Sequence, residues 1–274
     1  MDYTALACLD EISKGGQALK IPNLDSALKM AEPFRFNGKI LAVAISRKAD
    51  QRHASISVET DISGAIKAYR FPESKNQAVG VDLGVKALAT LSDGTVMPGS
   101  KAARQYADRL ARAQKLLSRK IGSKKCEEKS SNCRKQQKRV AKIHKRITGA
   151  RHGALHKLTA FLAANYGVAG IEGLNIKGML ANHKLAKHIA DSAFYEFKRQ
   201  LLYKAEATGA KVALADPFFP SSKTCCNCGA VYGGLKLSQR EWGCQSCGAH
   251  HHRDVNAAKN LEKIALIKLA AICQ

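Results

Sequence analysis

The sequence predicts an α/β fold: a mixed sheet flanked by helices, interrupted by a basic helical insert and by a small metal-stapled finger. Three observations carry that prediction. Short apolar runs alternate with amphipathic helical stretches from Gln77 to Ala271. Two long stretches between Lys101 and residue 165 keep helical periodicity yet are dominated by Lys and Arg. Two Cys-x2-Cys pairs stand between the last apolar run and the last helical stretch.

Composition bounds the rest. The 274 residues are 45% hydrophobic, enough for one large core and a small appended module. The 45 Lys and Arg against 22 Asp and Glu leave a formal charge of +23. Such a surplus repels itself unless a polyanion is near, so nucleic acid is the expected partner and an acidic membrane surface the weaker alternative. The N-terminal MDYTALACLDE is acidic and has no apolar run, so no secretion signal is read there. No stretch of about 18 uncharged apolar residues exists, and the expected location is the cytoplasm. Nine cysteines, an odd number, argue against a disulfide framework and for reduced, metal-bound thiolates. Cys8, Cys126, Cys133 and Cys273 are scattered and read as ordinary thiols.

Taken in order, residues 1–76 are β-rich, with LKIPNL, GKILAVAISR and HASISVETD as short strands split by polar turns. QAVGVDLG is an apolar run around a single acid, and VKALATLSDGTVM carries Ser92-Asp93-Gly94 as a hairpin turn, giving a three-stranded meander. Lys101 to about Lys120 reads as a helix with Tyr106, Leu110, Ala113 and Leu117 on one face. After a break at IGSKKCEEKSSNC, a second basic helix starts at Arg134, its buried stripe being Val140, Ile143, Ile147, Ala154, Leu158 and Phe161. Acids are rare in this hairpin, so salt-bridge lacing does not explain its charge and phosphate contact does. GVAGIE is a buried strand. Asp191 or Ser192 caps a helix that buries Phe194, Phe197, Leu201 and Ala205 and ends at Gly209. KVALA is a further strand, and the last helix runs from about Asp254 to Ala271. Three strands, helix, strand, helix, strand, insert, helix is the element order of the RNase H-like fold.

Cys225-x2-Cys228 and Cys244-x2-Cys247, fifteen residues apart, fit the four-cysteine zinc pattern. Four thiolates close a tetrahedral, structural Zn2+ site. Gly229 and Gly248 fall where a knuckle needs a permissive backbone. The intervening GAVYGGLKLSQREWG alternates enough to be a β-hairpin, so a zinc ribbon is expected. Cys226 competes with Cys225, and the two-residue spacing to Cys228 favours Cys225. His250, His251 and His252 do not suit a second ion, because consecutive side chains diverge, and read as a polar approach to the last helix.

Three acids stand in unusual company. Asp82 lies inside an apolar run, where a carboxylate is costly unless a cation or hydrogen bonds receive it. Glu172 ends the strand GVAGIE, and Asp254 heads the last helix, where the helix dipole tolerates an anion. Singly, each has a bland explanation as a cap or surface acid. On an RNase H-like sheet, the centre of the first strand, the end of the fourth and the last helix converge. Three carboxylates there would hold two Mg2+ or Mn2+ ions, the arrangement that cleaves phosphodiesters in line.

GVDLGVKALATLSDG, GIEGLNIKGML and HHRDVNAAKNL resemble the three RuvC motifs of the OrfB/TnpB proteins of insertion sequences, relatives of type V CRISPR effectors. LAKHIADSAFYEFKRQLLYKAEATGAKV and FFPSSKTCCNCGA resemble that family too, and the resemblance covers about residues 18–271. It implies a transposon-encoded, RNA-guided DNA endonuclease of prokaryotes, nucleoid-associated, often labelled an accessory transposase. Its partners would be a guide RNA and target DNA, with no membrane. It implies Asp82, Glu172 and Asp254 as catalytic magnesium ligands and Cys225, Cys228, Cys244 and Cys247 as zinc ligands. The implied domains are a partial wedge (1–76), a RuvC-like nuclease (77–220) with the basic hairpin 101–165, a zinc ribbon (221–249) and the final nuclease helix (250–274). Family members carry a longer N-terminal part with a helical recognition lobe. The expectation is therefore a natural fragment, a start placed downstream of the true one, or a split protein whose missing elements come from a partner or a second copy. A non-catalytic nucleic-acid-binding fragment or regulator of transposition is the alternative, and a strand-joining transposase the weaker third.

Overall fold

Turn chemistry and alternation shape the first of two units. The computed structural model describes residues 3–5, 18–19, 27–32, 38–59, 78–84, 87–121, 130–173, 194–236 and 238–272. One unit comprises Met1–Lys67 and Ala107–Arg146, the other Ala68–Tyr106 and Ile147–Gln274. In the first, β1 (Tyr3–Ala5), β4 (Lys39–Lys48) and β5 (Gln51–Glu59) form an antiparallel sheet in the order β1-β4-β5. A two-stranded ladder joins β2 (Ala18–Leu19) to β3 (Leu28–Lys29). Leu19, Ile40 and Val43 form its small core, with Met30, Ile45, Ile56 and Val58 against them.

The middle of the basic hairpin, Ala107–Arg146, lies in this unit. Residues 101–121 are not one helix but α1 (Ala102–Gln105) and α2 (Ala107–Ile121), separated at Tyr106. Leu110, Ala113 and Leu117 are the least exposed positions of α2, as periodicity predicts. The following helix, α3 (Ser131–Asn165), begins earlier than Arg134 because Ser130 Oγ accepts the Cys133 amide at 3.2 Å. Buried Gln136 donates to the Ala113 carbonyl of α2 at 2.8 Å. Lys142 pairs with Asp50 at 2.7 Å, fastening α3 to the β4–β5 turn. No acidic residue occurs in the 35 residues of α3. Its face is thus cationic without internal compensation.

The second unit is built on a five-stranded sheet in the order β10-β9-β6-β7-β8. β6 (Ala78–Leu83), β7 (Ala89–Leu91) and β8 (Val96–Met97) are the expected antiparallel meander, with Gly94 at φ 88° in its turn. β9 (Val168–Ile171) pairs parallel to β6, and β10 (Lys211–Leu214) parallel to β9. Alternation sorts the two faces. Val79, Val81, Ala169 and Ile171 pack with Leu155, Leu158 and Leu162 of α3 and with Phe197 and Leu201 of α4 (Phe194–Thr208). Leu155 and Leu162 are therefore core, whereas Phe161, expected inside, is 37% exposed: over so long a helix a stripe drawn from one end drifts off the true face. Gly209 ends α4 at φ 73°, while the expected caps Asp191 and Ser192 lie outside the described residues.

The opposite face carries Ala78, Gly80 and Asp82 of β6 and Val168 and Gly170 of β9. It receives the last helix, α5 (Arg253–Ile272). Gly80 and Gly170 are register partners. A Cβ on Gly80 would lie 1.7 Å from the Ala258 carbonyl oxygen, and one on Gly170 2.2 Å from that of Leu261. The two glycines form a trough in which α5 lies backbone to backbone. Among the described residues, no helix is long and apolar enough to cross a membrane.

Candidate functional site

The period of two that gives α5 its trough also aims the acids. Asp82 follows Gly80 on the α5 face of β6. Glu172 stands one residue past β9, beyond the pair Val81–Ile171. Asp254 is in the first turn of α5, in helical phase with Ala258, Leu261 and Ala265 on the face that meets the sheet. The structure thus draws Asp82, Glu172 and Asp254 into one electrostatic neighbourhood. Burial pushes the Asp82 carboxyl well above its usual range, and the negative charges of Glu172 and Asp254 push it further, against a partial offset from Arg253 and Arg240.

Each remaining acid has a named partner. Glu172 accepts a hydrogen bond from Ser221 Oγ. Asp254 receives the Arg240 guanidinium at 2.9 and 3.2 Å on its two oxygens. A cavity of about 270 Å³ opens beside Glu172, lined also by Asp216, Phe219, Ser221 and Lys223. The acids are set more widely than a single-ion cage. Among the described residues, only the four finger cysteines bring three or more ligand atoms within 4.8 Å of one another.

A consequence for pH follows from Asp82. A raised carboxyl keeps in the native state a proton that the unfolded chain gives up near pH 4, so native stability falls as pH rises from about 4 through the raised value. Thermal melts of the protein without added Mg2+ or Mn2+, at pH values stepped upward from about 4, should show that decline, and Asp82→Asn should flatten it.

Cys225, Cys228, Cys244 and Cys247 meet as the spacing predicts, with Sγ–Sγ separations of 3.7 Å for Cys225–Cys247 and 3.6 Å for Cys228–Cys244. Sulfurs about 2.3 Å from a tetrahedral ion stand ~3.8 Å apart, so the donor set fits a closed four-thiolate metal site. Both knuckles use the same turn: Gly229 N bonds Cys225 O and Gly248 N bonds Cys244 O, with positive φ at each glycine. Amides of Cys247 and Ser246 bring the Cys244 pKa down to about 6, while hydrogen bonds with the Cys228, Cys225 and Cys244 sulfurs push Cys247 up to about 12, so the thiols titrate as one cluster. Cys226 stays outside the cluster.

Two expectations about the finger are corrected. The segment between the knuckles is not a hairpin among the described residues. Each knuckle instead closes its own short ladder, through Thr224–Val231 and through β11 (Glu241–Gly243) with β12 (His250–His252). The histidines lead directly into α5 as expected, but as a paired strand rather than an open polar approach. His251 turns inward, its Nε2 3.0 Å from Cys225 Sγ and its ring 4.9 Å from that of Trp242.

Sequence reasoning missed the residues that join finger to helix. Asn256 and Asn260, both buried on α5, donate to the Thr224 carbonyl at 2.7 and 2.6 Å, and Asn260 also reaches Ser221 O at 2.9 Å. Asn256 Oδ1 accepts the Cys226 amide at 2.9 Å. The signal was present, since two asparagines four apart on a buried helix face need polar partners. Asn260→Ala removes one of the two asparagine donors that meet each of the Thr224 and Ser221 carbonyls and should cost about 0.5–1.5 kcal/mol, read from the denaturation midpoint.

Comparison with known proteins finds relatives along most of the chain. The model of the IS605 OrfB family, described as "Probable transposase", matches residues 53–191, and "Cas12f1-like, TNB domain" matches residues 194–261. A "Putative RNA-guided DNA endonuclease" of Streptomyces pristinaespiralis is 37% identical over 85% of this chain and 55% of its own length. A "Putative RNA-guided DNA endonuclease InsQ" of Escherichia coli K12 is 31% identical over 82% of this chain and 56% of its own. The chain spans about half the length of the curated relatives it matches. A solved CRISPR-Cas12f ternary complex aligns at 14% identity and a TM-score of 0.49, over 82% of this chain and 46% of that one.

Proposed function

This chain belongs to the OrfB/TnpB family, and from that premise we propose that it carries the RuvC-like nuclease centre of an RNA-guided DNA endonuclease. The observation that carries the reading is the electrostatic coupling of Asp82 with Glu172 and Asp254 on one face of a sheet ordered β10-β9-β6-β7-β8, an order we read as RNase H-like. Two Mg2+ or Mn2+ ions held there would activate the attacking water and stabilise the leaving oxygen. Asp82 must give up its proton to serve as a ligand, and its raised pKa ties that step to pH. Ser221 orients the Glu172 carboxylate. Arg240 holds Asp254 in place and partly neutralises it, ready to share that role with a cation.

Zn2+ in the finger would be structural, and Asn256 and Asn260 would transmit its order to the helix bearing Asp254. Removing it with a thiol-directed chelator should therefore lower both the melting temperature and the cleavage rate, and adding Zn2+ back should restore both. The cationic hairpin would follow nucleic-acid backbones, while base pairing through a guide would choose the sequence.

The test is to purify the full chain with its bound RNA, sequence that RNA, and offer a plasmid matching it. Cleavage dependent on Mg2+ or Mn2+ is expected. Bound RNA with no cleavage under either ion would instead identify a non-catalytic nucleic-acid-binding protein.

A further inference from the structure

Between β10 and the finger runs the turn Asp216-Pro217-Phe218-Phe219-Pro220-Ser221. Phe218 is 91% exposed, more than any other large apolar side chain among the described residues. A solitary exposed phenylalanine is unremarkable on a folded surface. This one differs in how it is held and in what adjoins it.

The turn is pinned throughout. Asp216 Oδ1 accepts the Phe218 amide at 2.8 Å, Asp216 O accepts the Phe219 amide at 3.1 Å, and Phe219 O accepts the Ser221 amide at 2.8 Å. Pro220 O receives the amides of Lys223 and Thr224 at 2.9 and 3.0 Å. Pro217 and Pro220 fix φ on either side of the two phenylalanines. The ring is presented to solvent by a backbone with little freedom left to lose. Its neighbours Pro217 and Phe219 line the cavity that contains Glu172, and Ser221, three residues on, bonds Glu172 directly. Lys223 adds a cation to the same cavity.

We infer that Phe218 is a stacking platform for a base of the single strand entering the Asp82–Glu172–Asp254 centre. An aromatic face accepts every base, so it can align a strand whose sequence is chosen elsewhere. A preorganised ring loses little entropy on stacking. Phe218 is thus a positioning residue in direct contact with substrate, holding the backbone in register beside Glu172. The inference rests on the nuclease reading for its purpose but not for its measurement.

The probe is a mixed-sequence single-stranded DNA with 2-aminopurine at successive positions, bound to the full chain with Ca2+ in place of Mg2+. Stacking quenches the analogue, so one position should be strongly quenched by the wild-type protein and by Phe218→Trp, but not by Phe218→Ala. Affinity should fall roughly tenfold in Phe218→Ala. KM for cleavage should rise by a similar factor, with kcat less affected. Because Phe218 is exposed, Phe218→Ala should melt as wild type does. Equal quenching by Phe218→Ala, or full affinity and quenching by Phe218→Leu, overturns the platform. Quenching by a wild-type protein that cuts no guided target refutes the nuclease reading and leaves the platform standing. Guided cleavage with no quenching at any position does the reverse.

Discussion

Replacing Asp82 by alanine is expected to abolish guided DNA cleavage while leaving bound RNA in place. Metal-ion catalysis of the proposed kind is worth several kcal/mol of transition-state stabilisation, so losing Asp82 should slow cleavage roughly thousandfold or more. The protein should not unfold. Asp82 is a half-buried carboxyl whose charge is opposed by burial and by two neighbouring acids, so its removal relieves repulsion in the ion-free state. Inactivation with equal or raised thermal stability would distinguish a catalytic acid from a structural one. A variant that cuts a guide-matched plasmid at the parental rate would refute the assignment. Glu172→Ala and Asp254→Ala should behave alike in rate but less alike in stability, because each surrenders a fixed partner, Ser221 or Arg240.

What the sequence made legible was whatever repeats or clusters along the chain. Alternation in Lys39–Lys48 and in the β6–β8 meander, the stripe Phe194, Phe197, Leu201, Ala205 and the paired cysteines all have local periods. The three acids were legible by contrast, as charges among apolar neighbours. The remainder depends on partners distant in the chain. Arg240 is one cation among many, and nothing local marks it as the residue that meets Asp254. His251 looks polar until Trp242 and Cys225 close over it. The grouping of Ala107–Arg146 with the N-terminal strands depends on contacts such as Lys142–Asp50, which no hydropathy pattern encodes. Gly80 and Gly170 offered least of all. A residue without a side chain leaves no pattern, and its meaning here lies in the helix that occupies the space.

That space yields the second large effect. Gly80→Ala should destabilise the second unit by about 3 kcal/mol or more, the upper end of what overpacking costs. The new methyl would sit 1.7 Å from the Ala258 carbonyl oxygen, and a backbone carbonyl inside a helix cannot rotate aside. Either α5 lifts from the sheet or β6 bends. Both movements carry Asp254 away from Asp82, so cleavage should fall further than the folded fraction does at the same temperature. Gly170→Ala, with 2.2 Å to the Leu261 oxygen, should act in the same direction. Gly149 supplies the control, since a methyl there meets nothing within 4 Å on the exposed side of α3. Gly149→Ala should therefore stabilise by about 1 kcal/mol through helix propensity alone. Opposite signs for one chemical change, read in denaturation midpoints and in cleavage rates, would tie the active geometry to helix–sheet contact. If Gly80→Ala matched the parent in both, α5 would not rest on these glycines, and the placement of Asp254 beside Asp82 would lose its support.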